Sequence, residues 1–210
     1  VSGGGTESPA TASVNDATAT SGVSIAADIQ APSATDIASV SIAVGNVVAG
    51  DTLDFGGSET LALDTSTGTT DSDLTINSIT GIDYSYAASS DTLTLTKNGG
   101  GNFTAAEIDN IVSGIQFKTT ATQDSGTRTF EIAYTDDAGN TGTAGTQTLN
   151  IDTEAPDAVD LVSGGGTEST ATAFVNAAEQ TSGKSIVSDL GAPAATDIAD
   201  IQIQITSESG

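Results

Sequence analysis

Apolar and polar residues alternate in many short stretches of the first 152 residues. A period of two places successive side chains on opposite faces of an extended strand, so each stretch predicts a strand with one buried face. Glycine, asparagine and aspartate separate these stretches and predict turns. Many short strands joined by turns indicate an all-β fold, an antiparallel β-sandwich. The predicted buried positions with the clearest alternation are Val40, Ile42, Val44, Leu93, Leu95, Phe130, Ile132 and Tyr134.

Further strands and one helix complete the predicted elements. The strands are expected at residues 23–29, 51–56, 59–64, 74–79, 81–87, 114–119 and 146–152. One short helix is expected near residues 104–114, because Thr104 and Glu107 have the spacing of a capping box. We interpret this helix as a crossover that closes one edge of the sandwich. The apolar residues at helical spacing are Ile108, Ile111, Val112 and Ile115.

Residues 1–44 align without a gap with residues 162–205. Both copies open with VSGGGTES, and both contain TSG and ATDIA. Self-similarity at a fixed long period indicates an array of domains. We therefore predict a complete β-sandwich repeat over residues 1–155, followed over residues 156–210 by a linker and the N-terminal part of the next repeat. Pro156 cannot continue a strand ladder, which places the boundary near residues 152–157.

The second copy corresponds to the opening strands of a repeat, with an apolar face at Ile201, Ile203 and Ile205. Half a sandwich would leave that face in water and its edges open. We therefore expect strands of another copy to pack against it. These strands would come from the continuation of a longer chain or from a neighbouring subunit in a head-to-tail polymer.

The charge of the chain restricts its partners. It has 28 acidic residues against four basic ones, no histidine, and a net charge of −24. Such a charge repels phosphate backbones and anionic lipid headgroups, so binding to nucleic acid or to a membrane surface is disfavoured and cations are favoured. Without histidine or cysteine a nucleophile has no good base, so we do not expect an enzyme.

Acidic residues concentrate in two places that predict a Ca²⁺ site. Because the strand between them returns the chain to the opposite end of the sandwich, the two clusters need not meet within one domain, but either could meet that of a neighbour. Oxygen ligands without histidine or cysteine favour calcium over transition metals. The alternative is that these acids are solvated surface and turn residues. Glu168 follows three glycines that let the backbone approach a metal, although a flexible hinge explains the glycines equally well. The candidate ligands are Asp136, Asp137 and Asn140 in a turn, Asp152, Glu154, Asp157 and Asp160 across the linker, and Glu168 in the opening phrase of the second copy.

Residues 128–156, RTFEIAYTDDAGNTGTAGTQTLNIDTEAP, resemble the closing strands and linker of bacterial immunoglobulin-like and cadherin-like repeats. Those repeats end in a D-x-x-G-N turn, a strand, and a V/I-D-T-x-x-P linker. GDTLDF and the later ITGIDYSYAASSDTLTLT and FTAAEIDNIVSGIQF are similar to the middle of cadherin-like repeats in giant secreted adhesins of the repeats-in-toxin type. The resemblance implies extracellular sandwiches in tandem whose joints are rigidified by calcium. Carried over by position, it implies Asp137, Asn140 and Asp152 as ligands.

These features together predict a structural repeat of a large extracellular bacterial surface protein. It would serve as the stalk of an adhesin or as a unit of a filament or surface layer, with adjacent repeats or identical subunits as its partners. The alternative is an adhesive module that binds a glycan or ice, because threonine-rich strands such as TLTLT could form a binding face. Threonine on the outer face of a strand is, however, also expected from β-propensity alone.

Overall fold

The computed structural model describes residues 10–26, 36–56, 59–122, 126–154, 179–182 and 202–203, and the account below is confined to them. The chain divides into two compact units, Val1–Glu154 and Ala155–Gly210. In the second unit the described residues comprise the short helix α3 (Glu179–Ser182) and residues 202–203. Ile203 is 73% exposed, whereas its counterpart in the first copy, Ile42, is fully buried. What covers Ile203 stays a prediction.

The first unit is mostly β-structure. Its helices are α1 (Asp16–Ala19) and α2 (Ala105–Gly114). No helix in the described part of the chain is both long and apolar enough to cross a membrane. The strands are β1 (Ala10–Asn15), β2 (Val23–Ser24), β3 (Ile37–Gly45), β4 (Asp51–Asp54), β5 (Thr60–Ala62), β6 (Thr69–Ile76), β7 (Ile79–Ala87), β8 (Thr92–Lys97), β9 (Gln116–Thr119), β10 (Thr127–Asp136) and β11 (Gly145–Asp152).

The strands form two sheets that share one hydrophobic core. The larger sheet has the order β1-β11-β10-β3-β8-β7-β6, and the smaller has the order β2-β9-β4-β5. Phe117 of β9 meets Phe130 of β10 edge to face across the core, with ring centroids 5.8 Å apart. Phe55, just after β4, contacts Tyr84 of β7 with tilted rings, whose centroids lie 5.5 Å apart. The predicted β-sandwich is confirmed at this level.

The buried positions follow the predicted alternation. In β3, for example, Val40, Ile42 and Val44 are buried while the residues between them are half-buried on the outer face. Leu93, Leu95, Phe130 and Ile132 are also buried, and only Tyr134 of the predicted set is half-buried. Each sheet packs its apolar face against the other sheet. The removal of these apolar side chains from water is the main contribution to the stability of such a fold.

Helix α2 confirms the predicted helix and its cap. Thr104 accepts a hydrogen bond from the Glu107 amide at 3.2 Å, and the Thr104 amide donates to Glu107 Oε2 at 2.8 Å. These two bonds satisfy backbone groups that a helix start leaves unpaired. The inner face of the helix is fully buried, so α2 is part of the core and not a surface attachment. Its buried residues are Ile108, Ile111 and Val112, with Ile115 buried just after the helix.

The prediction of a wholly antiparallel sandwich was wrong at one edge. Strand β1 pairs with β11 in parallel, from Ala10 opposite Gln147 to Asn15 opposite Asp152. After β1 the chain turns through α1 and continues in the smaller sheet as β2. Because β1 is not joined to β11 by a hairpin, nothing local requires the two to run in opposite directions. Residue alternation alone carries no information on strand direction.

One predicted strand is interrupted by a turn. The apolar pattern over residues 74–79 predicts a single strand, but β6 ends at Ile76 and β7 begins at Ile79. Asn77 and Ser78 between them both have positive φ, 45° and 74°. Two residues with positive φ form the type I′ hairpin turn that suits the twist of the flanking strands. The strands predicted at 23–29, 51–56, 59–64 and 114–119 are found with shorter bounds, whereas those predicted at 81–87 and 146–152 begin earlier, at Ile79 and Gly145. Residues 27–29 lie outside the described part.

Candidate functional site

The predicted turn ligands are brought together between β10 and β11. Asp136 Oδ1 accepts a hydrogen bond from the Asn140 amide at 2.7 Å, and Oδ2 accepts one from Asn140 Nδ2 at 2.9 Å. Gly139 in the same turn has φ +86°, a conformation that favours glycine. The Asn140 side chain, followed by its amide, holds the pKa of Asp136 below its usual value. Asp136 and Asn140 therefore close the turn by hydrogen bonding to each other.

Asp137 ties this turn to the start of β3. Its amide donates to the Asp36 carbonyl at 3.0 Å, while Asp137 itself is exposed. We call this end of the sandwich, which holds residues 136–141 and the start of β3, the turn end. A carboxylate here is available to a neighbouring molecule or domain.

The linker residues leave from the opposite end of the same sheet. Asp152 is the last residue of β11, and both Asp152 and Glu154 are exposed. Thr153 between them is 5% exposed, and its hydroxyl donates to the Ala121 carbonyl at 3.0 Å. This bond fixes the chain where it departs. We call this end, which holds residues 152–154, the linker end.

The structure thus places the described candidate ligands in two groups, at opposite ends of the sheet, as the strand between them predicts. The seven steps along β11 from Gly145 to Asp152 correspond to roughly 24 Å. Across the described residues, no three acidic side chains are grouped closely enough to hold a metal ion. Asp157, Asp160, Glu168 and its counterpart Glu7 lie outside the described residues. A calcium site made by one repeat alone is therefore not seen among these residues, and a site shared across a joint stays a prediction.

The basic side chains of the first unit are all used in ion pairs. Lys97 Nζ contacts Glu107 Oε1 at 2.7 Å, and Lys118 pairs with Asp54. Lys97, followed by the Thr104 amide, holds the pKa of Glu107 below its usual value, and Lys118 does the same for Asp54. The third base, Arg128, is also paired. Since each of these bases already has an acid partner, most acids of this unit lack a compensating charge from a basic side chain.

The third pair, between Asp51 and Arg128, joins the two sheets inside the core. Asp51 is 0% exposed and Arg128 is 1% exposed, and Arg128 Nε lies 2.5 Å from Asp51 Oδ2. The Val48 amide also donates to Asp51 Oδ2 at 3.0 Å. A buried charge is tolerated only when it is paired and hydrogen-bonded, and both conditions are met here.

Sequence reasoning missed this pair, although the alternation contains a signal for it. Arg128 has the same parity along β10 as buried Phe130, and Asp51 has the same parity along β4 as buried Leu53. Two inward-facing residues of opposite charge in a core without other charges predict a mutual contact. The signal identifies a structural pair, not a catalytic one.

A surface cavity with a volume of about 560 Å³ lies beside the β6–β7 hairpin. Phe55 and Leu74 form its apolar part, and Glu59, Asp71 and Asp73 are among its polar residues. Asp73 is already engaged, because its carboxylate accepts from a neighbouring asparagine amide at 3.0 Å. The exposed carboxylates give this surface a negative charge, which disfavours anionic ligands.

The outer face of the larger sheet carries hydroxyl side chains on adjacent strands. Thr129 lies opposite Thr148, and Ser39 lies between Thr96 and Thr135 in neighbouring strands. These residues alternate with buried apolar residues, so their side chains face away from the core. The hydroxyl rows thus extend across several strands and are not confined to one.

The chain matches no protein-family model, and it has no significant match among curated proteins or solved structures. The geometry of the molecule and the repeat in its sequence are therefore the observations that bear on its function.

Proposed function

We propose that this protein is a non-catalytic structural repeat of a large extracellular bacterial surface protein, a spacer built from tandem immunoglobulin-like or cadherin-like sandwiches. The observation that carries the proposal is the parallel pairing of β1 with β11. Among the described residues of the repeat, the first strand, β1, and the last strand, β11, run side by side in the same direction. The chain therefore enters toward the turn end and leaves at the linker end.

This arrangement favours extension over compaction. A repeat whose two termini lie at opposite ends can be joined to the next one without the chain returning along the sheet. In the sequence, the counterpart of Ala10 is Ala171, which follows Asp152 after an intervening linker. Repeats joined in this way add length with each copy, as a stalk or filament requires.

The same geometry supports calcium at the joints. In an array, an acidic linker such as residues 152–160 would lead from the linker end of one repeat to the turn end of the next. There it would approach a turn equivalent to residues 136–140, with its exposed carboxylate at the position of Asp137. Ca²⁺ accepts irregular shells of six to eight oxygens, which two such segments could supply jointly. Neither segment needs to form the site alone.

The proposal is tested by small-angle X-ray scattering on proteins with one, two and three repeats, in calcium and in chelator. The nine steps along β10 span about 31 Å, so we expect the maximum dimension to rise by at least about 30 Å for each added repeat in calcium. Chelator should broaden the distance distribution and lower the melting temperature, because ligation stabilises only the folded joint. A maximum dimension that does not grow with repeat number would overturn the spacer proposal. If the maximum dimension grows with repeat number but the scattering profiles and melting temperatures are identical in calcium and in chelator, only the calcium part of the proposal is overturned.

A second candidate, an adhesive module for glycan or ice, is favoured by the hydroxyl rows on the outer face. Strands twist by about 20–25° from one to the next, so such a face follows a curved ligand better than a flat crystal. Binding to a panel of neutral glycans and an ice-affinity assay test it. Substituting Thr129→Arg on this face should abolish any binding that uses it, whereas Lys118→Met on the other sheet should not.

A further inference from the structure

The edge pair of β1 and β11 has a mechanical consequence. β1 is the edge strand of the larger sheet, and it is paired with β11 along its whole length, from Ala10 to Asn15. β11 is held on its other side by β10, with pairing from Thr127 to Ile132. The last strand of the repeat is thus fixed between two neighbours, one of which is the first strand.

Tension along an array would act on this pair in one particular direction. It would pull β1 from its N-terminal end and β11 from its C-terminal end, and these ends lie at opposite ends of the parallel pair. The two strands would be driven to slide along each other. All backbone hydrogen bonds between them would then resist together, whereas a pull from the same end would break them one after another.

We propose that the β1–β11 pair is the force-bearing clamp of the repeat, and that the repeat resists extension by loading this pair in shear. Three further features support the clamp at the linker end. Val14 is fully buried in the core, and Asn15 caps α1 by accepting a hydrogen bond from the Thr18 amide at 3.1 Å. The Thr153 hydroxyl bond to Ala121 holds the chain just beyond β11. This inference rests on the proposed function only in supposing that the repeat carries tension.

The test is single-molecule unfolding of the full chain with two directions of pull. The chain has no cysteine, so handles can be attached at chosen pairs of introduced thiols. Ala10→Cys with Glu154→Cys loads the pair in shear, and Ala17→Cys with Glu154→Cys pulls both strands from the linker end. We expect a severalfold higher unfolding force at equal loading rate in the first geometry. Equal forces in the two geometries would overturn the proposal.

Proline variants in β1 give a second measurement. Along an edge strand in a parallel pair, alternate N–H groups face the neighbour and the others face away. Of Ala12→Pro and Ser13→Pro, one should lower the shear force strongly and the other weakly, with little effect of either on the force measured from the linker end. Equal losses in both geometries would show general destabilisation and would count against the clamp. Failure of the repeats to extend in scattering would leave this result unaffected, so the two proposals can fail separately.

Discussion

Replacing Asp51 with asparagine should destabilise the first unit far more than its single-atom change suggests. The substitution keeps the volume and an acceptor for the Val48 amide, but it removes the buried carboxylate charge that the Arg128 guanidinium, 1% exposed, contacts at 2.5 Å. Removing one partner of a buried ion pair costs about 3–5 kcal/mol. Since small domains are stable by only about 5–15 kcal/mol, such a loss should shift the unfolding midpoint strongly.

A double-mutant cycle separates the pair from the rest of the site. Arg128→Met should cost a similar amount to Asp51→Asn, because it leaves a buried carboxylate. The double variant removes both charges and should lose about 3 kcal/mol less than the sum of the single losses. Urea unfolding followed by circular dichroism measures each free energy of unfolding, with constant slope as the check on two-state behaviour.

The matched control is the ion pair on the outer side of the smaller sheet. Lys118 and Asp54 are partly exposed, at 30% and 13% of their side chains, so the same cycle with Lys118→Met and Asp54→Asn should give a coupling of about 1 kcal/mol or less. If the losses at Asp51 and Arg128 are additive, the buried pair is not what joins the sheets and the reasoning is refuted.

Three further predictions concern the helix, its cap and the sheet. Ile111→Asp should lower the free energy of unfolding by at least about 4 kcal/mol, because it buries a charge without a partner. Ala106→Asp, on the exposed side of α2, should be tolerated. Equal melting temperatures of the two variants would contradict this. Glu107→Gln should destabilise the protein at neutral pH but not in strong acid. The lowered pKa of Glu107 contributes stability above its usual value of 4.5 that is lost as the pH falls through the folded value, and a difference in urea stability independent of pH would exclude this. Gly68→Ala should lower the free energy of unfolding by about 1–3 kcal/mol, because the added Cβ would lie 2.6 Å from a backbone oxygen of β7. The control is Gly145→Ala, whose Cβ would meet no atom within 4 Å and which should leave stability unchanged. Thermal melts that show no difference between the two variants would refute the contact.

Much of the secondary structure is determined by short-range patterns. A strand with apolar residues at every second position has one buried face wherever it lies, as Val40, Ile42 and Val44 in β3 show. The capping box of Thr104 and Glu107 starts α2 through bonds between residues three apart. Such features can be read from the sequence because all the interacting groups are neighbours along the chain.

Long-range pairing was decided only in the tertiary structure. Alternation does not state which sheet a strand joins or in which direction it runs, so the parallel partnership of β1 and β11 was not predictable from it. The partnership of Asp51 with Arg128 likewise joins residues 77 positions apart. In each case the decisive contacts are between residues distant in the chain, and their geometry follows from the packing of the two sheets.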